Sequence, residues 1–167
     1  MRSTLGIVED APMRRFNLSD PNLSYDSEDP EGFKAGMFRM GPDLGANETG
    51  ASLYHLPPGE ALCPYHYEFG EEEWLLVIEG RPHLRTPAGT EQLDPLDVVF
   101  FPKGPDGAHK IWNEADERAR VLMWSSLVWP TATAYPDSDK VGVWASPDDK
   151  LMVKRSSNVD YYDGEKP

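Results

Sequence analysis

The stretch that decides the fold reads CPYHYEFGEEEWLLVIEG, residues 63–80. It places one histidine and several carboxylates in front of an apolar run of strand length. In a β-strand, residues i and i+2 point to the same face, so His66 and Glu68 project side by side. If the strand that follows lines a barrel, Glu73 lies at the mouth of that barrel with apolar residues behind it, and the two glutamates directly before it are expected to be solvated turn residues. The stretch therefore predicts either a metal-chelating group or a polar loop leading into a buried strand.

The rest of the chain has the pattern of an all-β protein. Sixteen prolines and fourteen glycines divide the 167 residues into short segments, and the apolar residues recur in short runs rather than at helical spacing. Turn-forming residues separate the runs, as expected for a sandwich or barrel. Strands are predicted at residues 33–40, 51–56, 62–68, 74–79, 83–86, 98–101, 109–113 and 120–129.

The predicted strands belong to one domain with an extension at each end. Residues 1–32 are polar with repeated Pro and Asp, and are expected to form an N-terminal arm. Residues 33–133 are expected to form the barrel. Residues 134–167 are too rich in Trp, Tyr and Val for a solvated tail, so they are expected to pack on the barrel or on a partner. Extensions of this kind cover exposed sheet edges or exchange between subunits, which predicts a homodimer.

Charge and composition exclude several classes of partner. The chain carries 16 basic and 29 acidic residues, a net charge of −13, so it would repel nucleic acid. No apolar run approaches the roughly 20 residues of a membrane-spanning helix, and no signal-peptide pattern opens the sequence. The single cysteine, Cys63, excludes an intramolecular disulfide and is compatible with a reducing compartment. We therefore expect a cytoplasmic protein that binds a small molecule, with no nucleic-acid or membrane partner.

A second segment, FPKGPDGAHKIWN at residues 101–113, supplies another histidine far along the chain. His109 follows a glycine-rich turn and opens a predicted strand. Asn113 shares a face with it by the strand alternation.

These two segments together resemble the cupin superfamily, and most closely its small single-domain bacterial members of unassigned activity. His66, Glu73 and Gly80 match the first cupin motif, G-x5-H-x-H-x3-4-E-x6-G, with Glu68 standing where the second histidine belongs. The second segment matches the second motif, G-x5-P-x-G-x2-H-x3-N, with two extra residues before its histidine. The resemblance covers roughly residues 51–126.

The resemblance implies a jelly-roll barrel, or double-stranded β-helix, with a divalent metal held inside by histidines and a glutamate. The implied ligands are His66, Glu73 and His109, with Glu68 in the place of the missing histidine. Two imidazoles and a carboxylate suit non-haem Fe(II), and Mn, Ni, Co and Zn accept such nitrogen and oxygen donors as well. A fourth ligand that is anionic would favour hard cations such as Mn(II).

The leading functional hypothesis is a divalent-metal-dependent enzyme of oxygenase, isomerase or lyase type, acting on a small organic acid or sugar-like substrate. Glu68, if it is not a ligand, is the natural general base. Arg85 shares a predicted face with His83 and is the candidate for holding a substrate carboxylate. Alternatively, Glu68 pairs with Arg81 or Arg85 and leaves the metal site weak or empty. The rival functions are a sensor or storage protein that binds a ligand without turnover, and a metal-free carbohydrate epimerase with His66 as base and a tyrosine as acid.

Overall fold

The computed structural model describes residues 14–19 and 21–166, so residues 1–13 and 20 of the predicted N-terminal arm lie outside the described residues. The expected all-β fold is confirmed. A short helix, α1 (Met40–Leu44), follows the first strand, and none of the helices in the described ranges is long and apolar enough to cross a membrane. The strands are β1 (Gly36–Arg39), β2 (Thr49–Leu56), β3 (Tyr67–Glu68), β4 (Glu73–Glu79), β5 (His83–Thr86), β6 (Gly89–Gln92), β7 (Val98–Phe101), β8 (Lys110–Trp112), β9 (Ala119–Ser126), β10 (Thr131–Tyr135), β11 (Lys140–Ser146) and β12 (Asp149–Lys154).

The strands form three antiparallel sheets arranged as the expected jelly roll. The largest has the order β1-β2-β9-β4-β7, the second β12-β11-β10-β3, and the third β6-β5-β8. Continuous hydrogen bonding does not close these sheets into one barrel within the described part of the chain. Isolated β-bridges outside the named strands provide further backbone pairing, and one of them joins His66 to His109.

The hydrophobic core lies on the inward face of β4 and its neighbours. Leu75 and Val77 are fully buried, whereas Trp74 on the opposite face is 37% exposed. This is the alternation expected from the sequence, and it puts Glu73 on the inward face with apolar residues behind it. The buried members of the cluster are Leu56, Leu75, Val77, Leu84, Leu93, Phe101, Ile111, Ala119, Val121 and Met123.

The strand predicted at residues 62–68 is mostly irregular. Only β3 has strand geometry there, preceded by the bridge at His66. Pro64 explains the difference, because proline has no N–H to donate to a ladder. The strand predicted at residues 120–129 likewise ends earlier, with β9.

The C-terminal residues form a meander of β10, β11 and β12. Its first strand pairs with β3, so the meander is joined to the segment that carries Glu68. The boundary expected between residues 133 and 134 falls inside β10. The sequence analysis also missed β6, whose residues GTEQ are all exposed and carry no apolar alternation.

Asn113 links the end of β8 to the end of β2 and to the segment before β9. Its side chain is fully buried, and its amide donates to the carbonyls of Leu56 at 3.0 Å and Glu117 at 2.8 Å. Its oxygen accepts a hydrogen bond from the backbone of Ala115 at 3.1 Å. The amide therefore satisfies buried backbone groups, which would be left without hydrogen-bond partners if the side chain were removed.

Candidate metal centre

A reciprocal backbone bridge brings the two motif histidines together. His66 N–H donates to the carbonyl of His109 at 3.0 Å, and His109 N–H donates to the carbonyl of His66 at 2.8 Å. Glu73 enters from the start of β4, with its Oε2 at 3.9 Å from His66 Nε2 and 3.8 Å from His109 Nε2. One donor atom from each of the three residues lies within 4.8 Å of the others, so this group is arranged to hold a metal ion.

Backbone carbonyls set the tautomer of both rings. His66 Nδ1 lies 3.0 Å from the carbonyl of Pro64, and His109 Nδ1 lies 2.9 Å from that of Gly107. A neutral imidazole that donates from Nδ1 has its Nε2 lone pair free, which is the usual arrangement behind a metal-binding histidine. His109 Nε2 is buried and has no hydrogen-bond partner among the described residues. The free lone pairs and the orphaned buried nitrogen therefore fit a divalent cation.

The electrostatics of the group favour the same conclusion. Burial lowers the pKa of His66, and burial together with the neighbouring His66 lowers the pKa of His109 to about 3, so both imidazoles are neutral at physiological pH. Burial, together with the negative charges of Glu68 and Glu71, raises the pKa of Glu73 to about 8. A buried carboxylate with acidic neighbours lacks a compensating positive charge, which a bound cation would supply.

Glu68 lies beside this group. Both of its carboxylate oxygens are 2.8 Å from the Thr133 hydroxyl, and its Oε1 is 3.8 Å from His66 Nε2. Burial raises the pKa of the Glu68 carboxyl to about 7. The Thr133 hydroxyl on β10 thus orients the Glu68 carboxylate next to the donor atoms of His66, Glu73 and His109.

The structure does not bring Arg85 to the other candidate residues. Its guanidinium pairs with Asp137 through contacts of 2.7 and 3.0 Å and stacks on Tyr65 at 3.9 Å from the ring centroid. Arg81 pairs with Asp94 at 2.7 Å. Within the described residues, neither arginine forms an ion pair with the site carboxylates.

A cavity of about 540 Å³ opens over the site. Part of its wall is formed by glutamate side chains, and other parts are formed by aromatic side chains. Its lining includes His66, Glu68, Glu71, Glu73, Arg39, Tyr54, Trp124, Trp129, Thr133, Tyr135 and Trp144. Aromatic faces beside polar groups suit a flat or sugar-like ligand.

Several of these lining residues were missed by the sequence analysis. Thr133, Tyr135 and Trp144 lie on β10 and β11, in or next to the predicted extension. The alternating residues of β10 indicate a strand, but its pairing with the two-residue β3 has no counterpart in the hydrophobic pattern. Glu71 is a correction, because we expected it to be solvated: it is half-buried, lines the cavity and accepts from Val128 N–H at 3.3 Å.

The jelly-roll fold thus carries a His, Glu, His group that is arranged to hold a metal ion beside an open cavity. Residues 52–125 match the cupin domain family. This match covers the central part of the chain and agrees with the resemblance carried by its two motifs.

Several solved structures have a similar fold. A sugar phosphate isomerase of the cupin superfamily from Silicibacter pomeroyi is similar over 90% of this chain and 98% of its own, with a TM-score of 0.77 and 21% identity. A putative sugar phosphate isomerase from Acidithiobacillus ferrooxidans is similar over 77% of this chain and 81% of its own, with a TM-score of 0.71 and 23% identity. For a polyketide cyclase from Streptomyces resistomycificus, the coverage is 68% and 79%, the TM-score 0.57 and the identity 20%. No curated protein is significantly similar in sequence.

Proposed function

We propose that this protein is a divalent-metal-dependent enzyme that acts on a small organic acid or sugar-like substrate. The observation that carries the proposal is the convergence of two free imidazole nitrogens and the Glu73 carboxylate beside a cavity of about 540 Å³. His66, His109 and Glu73 would hold the metal, which supplies Lewis-acid polarisation of a substrate oxygen when bound.

Glu68 is proposed as the general base of this site. The Thr133 hydroxyl orients its carboxylate toward the cavity, next to the clustered donors. A carboxylate in that position can take a proton from a bound substrate and return it at another atom, as an isomerase or lyase requires. Two of the structures similar in fold are described as sugar phosphate isomerases, one of them putative, which supports a reaction of this kind.

The proposal is tested by the metal content of protein purified without a histidine tag. Wild type is expected to hold close to one divalent ion per chain, and His66→Ala and His109→Ala are each expected to lose most of it, because removing a ligand from a buried site costs at least about tenfold in affinity. His83→Ala is the matched control, since its ring stacks on Trp112 away from the site. Glu68→Gln is expected to keep the metal if the residue is a base and not a ligand.

Metal measured by elemental analysis in these five proteins and in Glu68→His separates the outcomes. Sub-stoichiometric metal that is the same in wild type and both histidine variants would contradict the metalloenzyme. Loss of metal in Glu68→Gln, or a changed metal preference in Glu68→His, would make Glu68 a fourth ligand.

A second function, a metal-free carbohydrate epimerase, is favoured by one contact. Tyr135 stacks on His66 with centroids 6.0 Å apart and an interplanar angle of 24°, and it also lines the cavity. Burial raises the pKa of the Tyr135 phenol to about 12, which keeps it protonated as an acid. This candidate replaces the first if the histidine substitutions leave the metal content unchanged.

The homodimer stays a prediction. In β12, Leu151 is 59% exposed and Met152 45%, and within the described residues the outer edge of this strand has no partner. Exposed apolar edge strands are surfaces that proteins cover, often with a second copy. Light scattering at micromolar concentration is expected to give the mass of a dimer, and a monomer mass would refute the prediction.

A further inference from the structure

The cavity contains a cationic side chain that the proposed reaction does not use. Arg39 is the one lysine or arginine among its described lining residues, whereas Glu68, Glu71 and Glu73 line the same space. No carboxylate of the described residues forms an ion pair with it, in contrast to Arg85. An unpaired guanidinium in the wall of a cavity is available to a ligand.

The strand register shows which way Arg39 points. Arg39 pairs with Ser52, Ser52 pairs with Met123, and Met123 pairs with Leu75. Residues directly opposite each other in antiparallel strands share a face, so these four residues form one row across the sheet. Leu75 is buried, and Ser52 and Met123 line the cavity. The row therefore places Arg39 on the face of the sheet that lines the cavity, at the far edge, where the residue is exposed to solvent.

The number of strands in this row gives the approximate distance between Arg39 and the candidate metal group. Three strand spacings separate β1 from β4, which is about 14 Å between backbones at about 4.8 Å each. Glu73 lies on the same face of β4, two positions from Leu75. A small molecule that touches Arg39 at one end can therefore extend toward Glu73 at the other.

The Arg39 side chain has no structural role in capping the neighbouring helix. The residue ends β1 and precedes α1, and its side chain makes no capping hydrogen bond to that helix. Its guanidinium fork matches phosphate and carboxylate oxygens in a bidentate geometry. In a chain with a net charge of −13, such a group gives the cavity a local attraction for an anion that the rest of the surface opposes.

We propose that Arg39 binds the anionic group, a phosphate or a carboxylate, of a small sugar-like substrate whose other end lies at the His66, Glu73 and His109 group. The inference rests on the proposed function for the orientation of the substrate. It names the class of substrate as a sugar derivative with one anionic group at one end. It assigns to Arg39 the role that the sequence analysis gave to Arg85.

Three probes that differ at one carbon test the assignment. Glucose 6-phosphate, glucuronate and glucose carry a phosphate ester, a carboxylate and a hydroxyl at the same position. Calorimetric titration of wild-type protein is expected to give at least about tenfold tighter binding of one anionic probe than of glucose, because hydrogen bonds to charged groups carry most of the discrimination. Arg39→Met is expected to remove that preference and Arg39→Lys to keep part of it, whereas Arg85→Met keeps it in full.

The titrations are run on metal-loaded protein and on protein treated with a chelator. The metal content of Arg39→Met is measured alongside and is expected to equal that of wild type. If the histidine variants keep their metal, the proposed function fails, yet the anion preference of chelated protein still tests Arg39. Equal binding of the three probes, no binding of either anion, or a preference that survives in Arg39→Met overturns the inference, as does its loss in Arg85→Met alone. The better of the two anionic probes identifies the group as phosphate or carboxylate.

Discussion

We expect Glu73→Gln to abolish metal binding and, in the absence of metal, to make the protein more stable at alkaline pH. The carboxylate is mostly buried, and its pKa is raised to about 8 by burial and by the charges of Glu68 and Glu71. Glutamine keeps the shape and removes the charge, so it removes both a metal ligand and an uncompensated buried anion. Metal affinity is expected to fall by a factor of about 100 or more, at the upper end of what positions near a metal show.

The pH dependence gives the sign of the stability effect. Between about 4.5 and 8, folded protein keeps a proton on Glu73 that the unfolded chain has lost, so the free energy of unfolding falls as pH rises through this window. Glu68, with its pKa raised to about 7, contributes in the same direction. His109, with its pKa lowered to about 3, has the opposite effect below its ordinary value of 6.5. Above that value the raised pKa values of the two carboxylates give the slope a negative sign, and one full proton corresponds to about 1.4 kcal/mol per pH unit.

Thermal melts of chelated protein between pH 6.5 and 8.5 measure this slope. Wild type is expected to melt at a lower temperature at pH 8.5 than at pH 6.5, and Glu73→Gln to reduce the difference. Glu72→Gln is the control, because Glu72 is the exposed neighbour of the same chemical type. Adding metal is expected to stabilise wild type and leave Glu73→Gln unchanged. A Glu73→Gln protein with wild-type metal content, or with an unchanged pH slope, would contradict the assignment.

The part of the site that the sequence predicts is the part carried by local alternation. The two-residue period of β4 places Glu73 on the same face as Leu75 and Val77, and the structure shows that this face is the buried one. The meeting of His66 with His109 depends on a bridge between segments far apart in sequence, and it was expected only through the resemblance to cupins.

The positions of Arg39 and Arg85 show where such reasoning stops. Both residues lie in predicted strands, and the two-residue alternation of a strand does not say which of its faces points into the protein. Arg39 is placed on the cavity-lining face by its register with Ser52, whereas Arg85 is held by Asp137 from the loop after β10. Thr133 reaches Glu68 for a related reason, because β10 pairs with a strand of two residues that no hydrophobic pattern marks. Pairing partners of short strands are set by the tertiary fold, so single-sequence patterns miss them.

Gly107→Ala is expected to cost several kcal/mol of stability and to remove the metal from whatever protein still folds. A Cβ at this position would lie 1.8 Å from the carbonyl oxygen of Pro102, so the backbone of the loop has to move. The same loop presents the Gly107 carbonyl to His109 Nδ1 at 2.9 Å, and that hydrogen bond orients the ring. Overpacking typically costs about 1–3 kcal/mol and more where the backbone is displaced.

Gly41→Ala is the matched control, because Gly41 is also buried but its added Cβ would have its nearest contact at an ordinary 3.6 Å. Urea unfolding of chelated protein measures the stability term, and elemental analysis of the folded fraction measures the metal. The two effects have one cause, since the displaced loop is the one that fixes the free nitrogen of His109. If Gly107→Ala were as stable as Gly41→Ala, the close approach of residue 107 to the Pro102 carbonyl would be contradicted. A Gly107→Ala protein that is destabilised but keeps its full metal content would show that the carbonyl of residue 107 does not orient the histidine.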